Sequence, residues 1–79
     1  MQPALKKAID VAGNASALAR MIGVSPGYAR HLGTGTRPIT PAIAVQIERA
    51  TGVKAEALMP ETQWLRARGK LTGYVVSVE

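Results

Sequence analysis

Two short helical patterns joined by only three residues, Gly23 to Ser25, occupy the stretch from Ala15 to Leu32. Apolar side chains recur in both patterns every three or four positions, which is the spacing of one helix face. Gly23 supplies a left-handed stop for the first helix, and Ser25 followed by Pro26 is an N-cap followed by a preorganised first helical position. This arrangement is typical of a helix-turn-helix, in which side chains at the start of the second helix can enter the major groove of DNA.

The length and composition of the chain limit the alternatives. A chain of 79 residues has room for one compact domain. It contains no cysteine, which excludes disulfides and thiolate metal ligands and fits a reducing compartment. Charged residues interrupt the N-terminal apolar positions, and no later apolar run is long enough to span a membrane. We therefore expect a cytoplasmic protein that has no membrane partner.

The charge of the chain is positive and unevenly distributed, with a net charge of +5 and a pI near 10.3. Five basic residues and one acidic residue precede Pro41, whereas five basic and four acidic residues lie from Pro41 onward. Excess positive charge favours a polyanionic partner, because sequence-independent affinity for nucleic acid comes from neutralised phosphates and released counterions. Many small domains carry such an excess for solubility, so the charge by itself leaves both interpretations open.

Proline, glycine and cap residues divide residues 1–60 into five short helices. We predict a mainly α fold, a compact five-helix bundle that contains the helix-turn-helix. The predicted boundaries are Pro3 to Gly13, Asn14 or Ser16 to Ile22, Pro26 to about Leu32, Thr40 to Gly52, and Lys54 to Met59.

Residues 61–79 have a different character and are predicted to form a C-terminal tail of the same domain. Gly73 precedes the run from Tyr74 to Val78, which is too short and too β-branched to favour a helix. We predict a strand there. It can pair with Gln63 to Ala67 in a short hairpin, across a turn at Arg68 to Lys70, or with its copy in a second subunit, because an isolated strand edge needs a partner.

The tail carries more large apolar residues than a completed five-helix core requires. This excess favours a subunit interface, and the alternative is that the tail folds back onto its own bundle. The residues assigned to a dimer interface are Trp64, Leu65, Leu71, Tyr74, Val76 and Val78.

Three segments of the chain carry a family resemblance. They read ALARMIGVS from Ala17 to Ser25, GTGTRPI from Gly33 onward, and IERATGV from Ile47 to Val53. Over residues 4–60 the chain resembles Cro-like phage and prophage repressors of the YdaS type, within the lambda-repressor-like class. The resemblance implies a bundle of about five helices, a dimer on a short palindromic operator and transcriptional repression, and some such relatives are described as antitoxins.

Departures from the family pattern limit what the resemblance transfers. Ala15 and Pro26 stand where relatives often carry glutamine or another long polar residue, and Leu32 stands where many carry tryptophan. Gly27 weakens the start of the third helix by about 1 kcal/mol relative to alanine and can allow close approach of the backbone to DNA. The operator is therefore not expected to be that of a relative.

Position by position, the resemblance assigns residues to DNA contact. Arg30 is the leading candidate for base reading, because its planar fork can bind guanine O6 and N7 together. The alternatives are a phosphate contact or a solvated charge for Arg30, and a surface or half-buried side chain for His31. Tyr28 can instead cover the helix junction, and the cap and loop residues can serve only as caps or solvated loops. The predicted base-reading residues are Pro26, Gly27, Arg30 and His31. The predicted contacts to the DNA backbone are Ser16, Ser25, Tyr28, Thr34, Thr36 and Arg37.

Catalytic and metal-dependent functions find little support in the sequence. His31 is the one histidine and has no carboxylate pair at ligand spacing, so we predict no metal site and no cofactor. The loop from Gly33 to Gly35 lacks the lysine and the preceding strand of a phosphate-binding loop. The five acidic residues are scattered, which favours roles on helix surfaces over acid and base catalysis. We therefore predict that the chain is not an enzyme.

Two functional hypotheses remain. The leading one is a sequence-specific repressor of a phage or prophage regulatory region, which binds a pseudo-palindromic operator in double-stranded DNA as a homodimer. Its two recognition helices are expected to lie about 34 Å apart, one turn of B-DNA. The alternative is an antitoxin-type protein-interaction module that neutralises a toxin partner through residues 61–79.

Overall fold

A computed structural model describes residues 3–34 and 39–75, in which five helices precede a two-stranded antiparallel sheet. This architecture confirms the predicted mainly α fold with a C-terminal hairpin. None of the helices in these two ranges is long and apolar enough to cross a lipid bilayer. The elements are α1 (Pro3–Ala12), α2 (Ala15–Ile22), α3 (Pro26–Thr34), α4 (Pro41–Thr51), α5 (Ala55–Leu58), β1 (Gln63–Ala67) and β2 (Lys70–Val75).

The helix starts follow the cap residues in the sequence. For α2, the Asn14 side chain accepts a hydrogen bond from the backbone N–H of Ala17 at 2.8 Å, so Asn14 is the cap and Ser16 lies inside the helix. The other two caps are hydroxyls followed by proline. Ser25 accepts from the N–H of Tyr28 at 3.1 Å, and Thr40 accepts from that of Ile43 at 3.3 Å. These bonds satisfy backbone donors that a helix start otherwise leaves unpaired.

The helices pack around one apolar core. Leu18 and Ile47 are almost completely buried at its centre, and no charged or polar side chain is buried among the described residues. Truncation of such a side chain to alanine removes transfer free energy and leaves a cavity, which together cost about 2–5 kcal/mol. The buried cluster consists of Leu5, Ala8, Leu18, Ile22, Leu32, Ala44, Ile47, Val53, Ala55 and Leu58.

The second strand of the hairpin begins earlier than the sequence predicts. Arg68 and Gly69 both have positive φ, 54° and 81°, as in the two-residue turns whose twist suits a hairpin. The chain therefore reverses directly after Ala67, and β2 starts at Lys70 rather than at Tyr74. The predicted strand start was wrong for this reason. β2 pairs with β1 of the same chain, so the hairpin is the pairing that the structure shows.

One face of the hairpin packs against the helices. Trp64 and Leu71 contact the core, and the indole N–H of Trp64 donates a hydrogen bond to the backbone carbonyl of Met59 at 2.9 Å. Tyr74 lies opposite Trp64 on the neighbouring strand, and the two rings meet edge to face with centroids 5.6 Å apart. The tail thus folds back onto its own bundle along this face.

Arg66 joins the same face of the hairpin to α4 and α5 through ion pairs. Its guanidinium lies 2.5 Å from a Glu48 oxygen and 2.6 Å from a Glu56 oxygen. Hydrogen bonds from Arg66 lower the pKa of Glu56 to about 2. Burial acts to raise the pKa of Glu48, but the bonds from Arg66 and from the backbone N–H of Ala55 outweigh it, and the pKa is lowered. The sequence interpretation of these two acidic residues as scattered surface charges was incomplete.

Candidate nucleic-acid interface

The turn between α2 and α3 fixes how α3 is presented. Gly23 adopts a left-handed conformation, with φ 76° and ψ 28°, and its N–H donates to the carbonyl of Ala19. The N–H of Val24 donates to the same carbonyl at 3.0 Å. Ala19 has no exposed surface, and its small side chain lets the two helices pack closely. The start of α3 is therefore set by the backbone of the turn and by the Ser25 cap.

One face of α3 is buried and the other is exposed. Ala29 and Leu32 are 2% and 4% exposed and face inward. Among residues 26–32, the exposed positions include pairs three or four residues apart, such as 26 and 30 or 27 and 31, so they share one face of the helix. These exposed residues are the four predicted base readers, Pro26, Gly27, Arg30 and His31.

A shallow depression of about 380 Å³ lies at the start of this face. It is lined by Ser25, Gly27, Tyr28 and His31. Tyr28 is half-buried and packs against the core, so only part of it is exposed. The Ser25 hydroxyl already accepts the capping hydrogen bond, which leaves its own O–H as a donor to a ligand.

The structure describes only some of the other residues predicted to contact the DNA backbone. Ser16 is exposed in the first turn of α2. Thr34 is the last residue of α3, and its side chain lies outside the described residues, as do Thr36 and Arg37 entirely. Sequence reasoning did not assign Arg20, which is exposed one helical turn after Ser16. The spacing of four residues between them was the signal that could have identified it.

Exposed arginines of α2 and α3 keep their charge available. In the two described ranges, both salt bridges belong to Arg66, and neither Arg20 nor Arg30 forms one. Within the same ranges, no three histidine or carboxylate side chains come close enough together to hold a metal ion. The chemistry that this surface offers is therefore hydrogen-bond donation and positive charge.

The predicted dimer-interface residues fall on both faces of the hairpin. Trp64 and Leu71 contact the core of their own chain, and Tyr74 contacts Trp64. Leu65 lies on the outer face and is 45% exposed. Val75, which sequence reasoning did not assign, is 46% exposed on the same face. Val76 and Val78 lie outside the described residues.

Comparison with known proteins matches the chain to a protein family. A family model described as bacterial toxin YdaS matches residues 5–67, which is well over half of the chain. No curated protein and no solved structure matches the chain. The matched region includes α1 from its third residue, the other four helices and β1. The chain therefore belongs to the YdaS toxin family.

Proposed function

We propose that the chain is a sequence-specific DNA-binding protein that represses transcription from a phage or prophage regulatory region. The observation that carries the proposal is the outer face of α3, where Arg30 and three other exposed residues lie on a helix fixed by Gly23 and Ser25. A short helix with its start exposed and its underside buried suits insertion into the major groove. The positive net charge of +5 supports the same partner.

In this proposal Arg30 reads bases, and Arg20 and Ser16 bind the phosphate chain beside it. A bidentate bond from Arg30 to guanine contributes about 1–3 kcal/mol of discrimination against other bases. Phosphate contacts fix the position of the protein on DNA and carry no sequence information. Binding of a pseudo-palindromic operator requires a homodimer, and the exposed outer face of the hairpin, with Leu65 and Val75, is the surface we assign to it.

Two arginine variants test whether Arg30 reads bases. Selection of bound sequences from a random duplex pool first identifies the operator. Arg30→Ala is expected to relax base preference at one position in each half-site, while Arg49→Ala removes the same charge from the exposed surface of α4 and retains that preference. Equal losses of affinity for operator and random duplex in both variants would contradict the base-reading role of Arg30. Binding of no duplex at low salt would overturn the proposed function itself.

A second function is favoured by the family description, which names a bacterial toxin. The chain would then act by binding another protein through the exposed outer face of the hairpin. Deletion of the hairpin does not test this idea cleanly, because it also removes Trp64 from the core and Arg66 from its carboxylates. Point substitutions on the outer face leave both contacts in place.

Growth of bacteria that express the chain separates the two functions. If expression slows growth through DNA binding, Arg30→Ala relieves the effect. If it does so through a protein partner at the hairpin, the double variant Leu65→Lys with Val75→Lys relieves it and Arg30→Ala does not. Sedimentation of the double variant also reports self-association, because a homodimer formed through this face would become monomeric.

A further inference from the structure

A groove of about 630 Å³ lies between the start of α1 and the connection from α4 to α5. None of the residues that line it belongs to α2 or α3, so it is separate from the candidate DNA-binding face. Its volume is in the range of sites that bind small ligands or peptide side chains, about 300–1,000 Å³. The lining residues are Pro3, Ala4, Lys7, Gly52, Val53, Lys54 and Ala57.

The walls of the groove are mainly apolar. Val53 is 6% exposed and belongs to the core, so the groove reaches down to core side chains. Ala4 and Ala57 have side chains too short to fill the space above it. An aliphatic side chain of a ligand would therefore lose contact with water on entering the groove, which favours binding by about 25 cal/mol per Å² of apolar surface buried.

One wall is held in place by the chain's own hydrogen bonds. The N–H of Gly52 donates to the carbonyl of Glu48 at 2.8 Å, and the N–H of Ala55 donates to the Glu48 carboxylate at 2.8 Å. The N–H of Val53 donates to the Thr51 hydroxyl at 3.2 Å. Because the chain itself supplies both partners of each bond, binding requires little further ordering of this wall.

Two exposed lysines line the groove from different elements. Lys7 lies on α1, and Lys54 is the residue that precedes α5. No carboxylate is among the described residues of the lining. The charge of Lys54 acts on Glu48 and Glu56, but Arg66 already binds both carboxylates. A ligand of matching chemistry therefore combines an aliphatic group with negative charge.

We propose that this groove binds an acidic peptide segment of a partner protein, with an aliphatic side chain between two carboxylates. The aliphatic side chain contacts Val53, and the carboxylates pair with Lys7 and Lys54. Double-stranded DNA fits less well, because its phosphate backbone offers no aliphatic group for an apolar concavity. The proposal does not depend on DNA binding by α3, and both surfaces can be occupied at once because they share no residue.

The probe is a capped pentapeptide of alternating glutamate and leucine, added to the full ¹⁵N-labelled chain. Saturable chemical-shift changes are expected at the amides of Ala4, Val53 and Ala57, and they are expected to weaken as salt is raised. A peptide with lysine in place of glutamate and one with serine in place of leucine are the matched controls. Equal binding of either control would overturn the proposal, and so would shifts confined to α3 or the hairpin.

Two double variants with the same change of charge test the role of the lysines. Lys7→Glu with Lys54→Glu is expected to lower affinity for the acidic peptide about tenfold, since attraction is replaced by repulsion at two sites. Lys6→Glu with Lys70→Glu changes two exposed lysines outside the lining and is expected to retain most of the affinity. Equal losses would show a general charge effect and overturn the proposal. Lys54→Gln, a milder change, gives the same test if a double variant does not fold.

Discussion

Glycine at position 27 is expected to lower the stability of the protein and to raise its affinity for DNA. Gly27→Ala should therefore raise the stability and lower the affinity. The φ of Gly27 lies outside the left-handed region, and a Cβ built there meets no atom within 4 Å. Nothing within the described structure therefore requires glycine at this position. Because alanine loses less conformational entropy in a helix, the variant should gain about 0.4–1 kcal/mol in free energy of unfolding. For a chain of this size the gain corresponds to a rise in melting temperature of about 2–8 °C.

The expected loss of DNA affinity has a steric cause. If the backbone of α3 approaches a base edge or sugar within van der Waals distance at Gly27, an added methyl group must displace it. Overpacking of this kind costs about 1–3 kcal/mol, which lowers affinity about fivefold to 150-fold. The measurement is fluorescence anisotropy with a labelled operator duplex, together with thermal melting of the same preparations by circular dichroism.

The chain offers a matched control at the start of α4. Thr40 and Pro41 there repeat the cap and proline of α3, and exposed Ala42 occupies the position of Gly27. Ala42→Gly should lower the free energy of unfolding by about 0.5–1 kcal/mol and leave DNA affinity unchanged. If Gly27→Ala stabilises the protein and binds the operator as tightly as the unchanged chain does, nothing approaches the helix at this point and the reasoning is refuted.

Two further predictions concern the hairpin. Because bonding to Arg66 depresses the pKa of Glu56 to about 2, its stabilising effect is present above the ordinary pKa of 4.5 and is lost as pH falls from there towards 2. Glu56→Gln should accordingly reduce the fall in melting temperature across that window, and an unchanged fall would contradict the coupling. Arg68 holds a left-handed φ of 54°, so Arg68→Asn should raise the free energy of unfolding by about 0.5–1 kcal/mol in urea denaturation, and a loss of stability would refute the strain argument.

The helices could be predicted from the sequence because their signals are local. Caps such as Ser25 and Thr40 act within three residues, and glycines such as Gly23 end a helix where they stand. The exposed face of α3 could be predicted in the same way, because the spacing of residues along a helix decides which of them share a face. The assigned base readers do lie together on that face.

Interactions between distant parts of the sequence could not be predicted in the same way. Arg66 and Glu48 are separated by 18 positions, and nothing in either neighbourhood indicates the other. The inward packing of Trp64 depends on where β1 meets the helices, which the apolar content of the tail does not specify. The early start of β2 depends on the positive φ of Arg68, a conformation that arginine seldom adopts. The groove at Lys7 and Lys54 likewise combines residues from opposite ends of the helical region.

The residues that matter for the proposed DNA contact divide into three groups that experiments can separate. Ala19 and Gly23 orient α3 from within the chain, so their replacement should reduce stability and DNA binding together. Arg30 is exposed on α3, so its replacement should reduce binding while stability is nearly unchanged. Gly27→Ala alone among these variants is expected to raise the stability of the protein while it lowers the affinity for DNA. A set of variants whose binding merely followed their stability would mean that the exposed face of α3 has no ligand, whatever the overall charge of the chain.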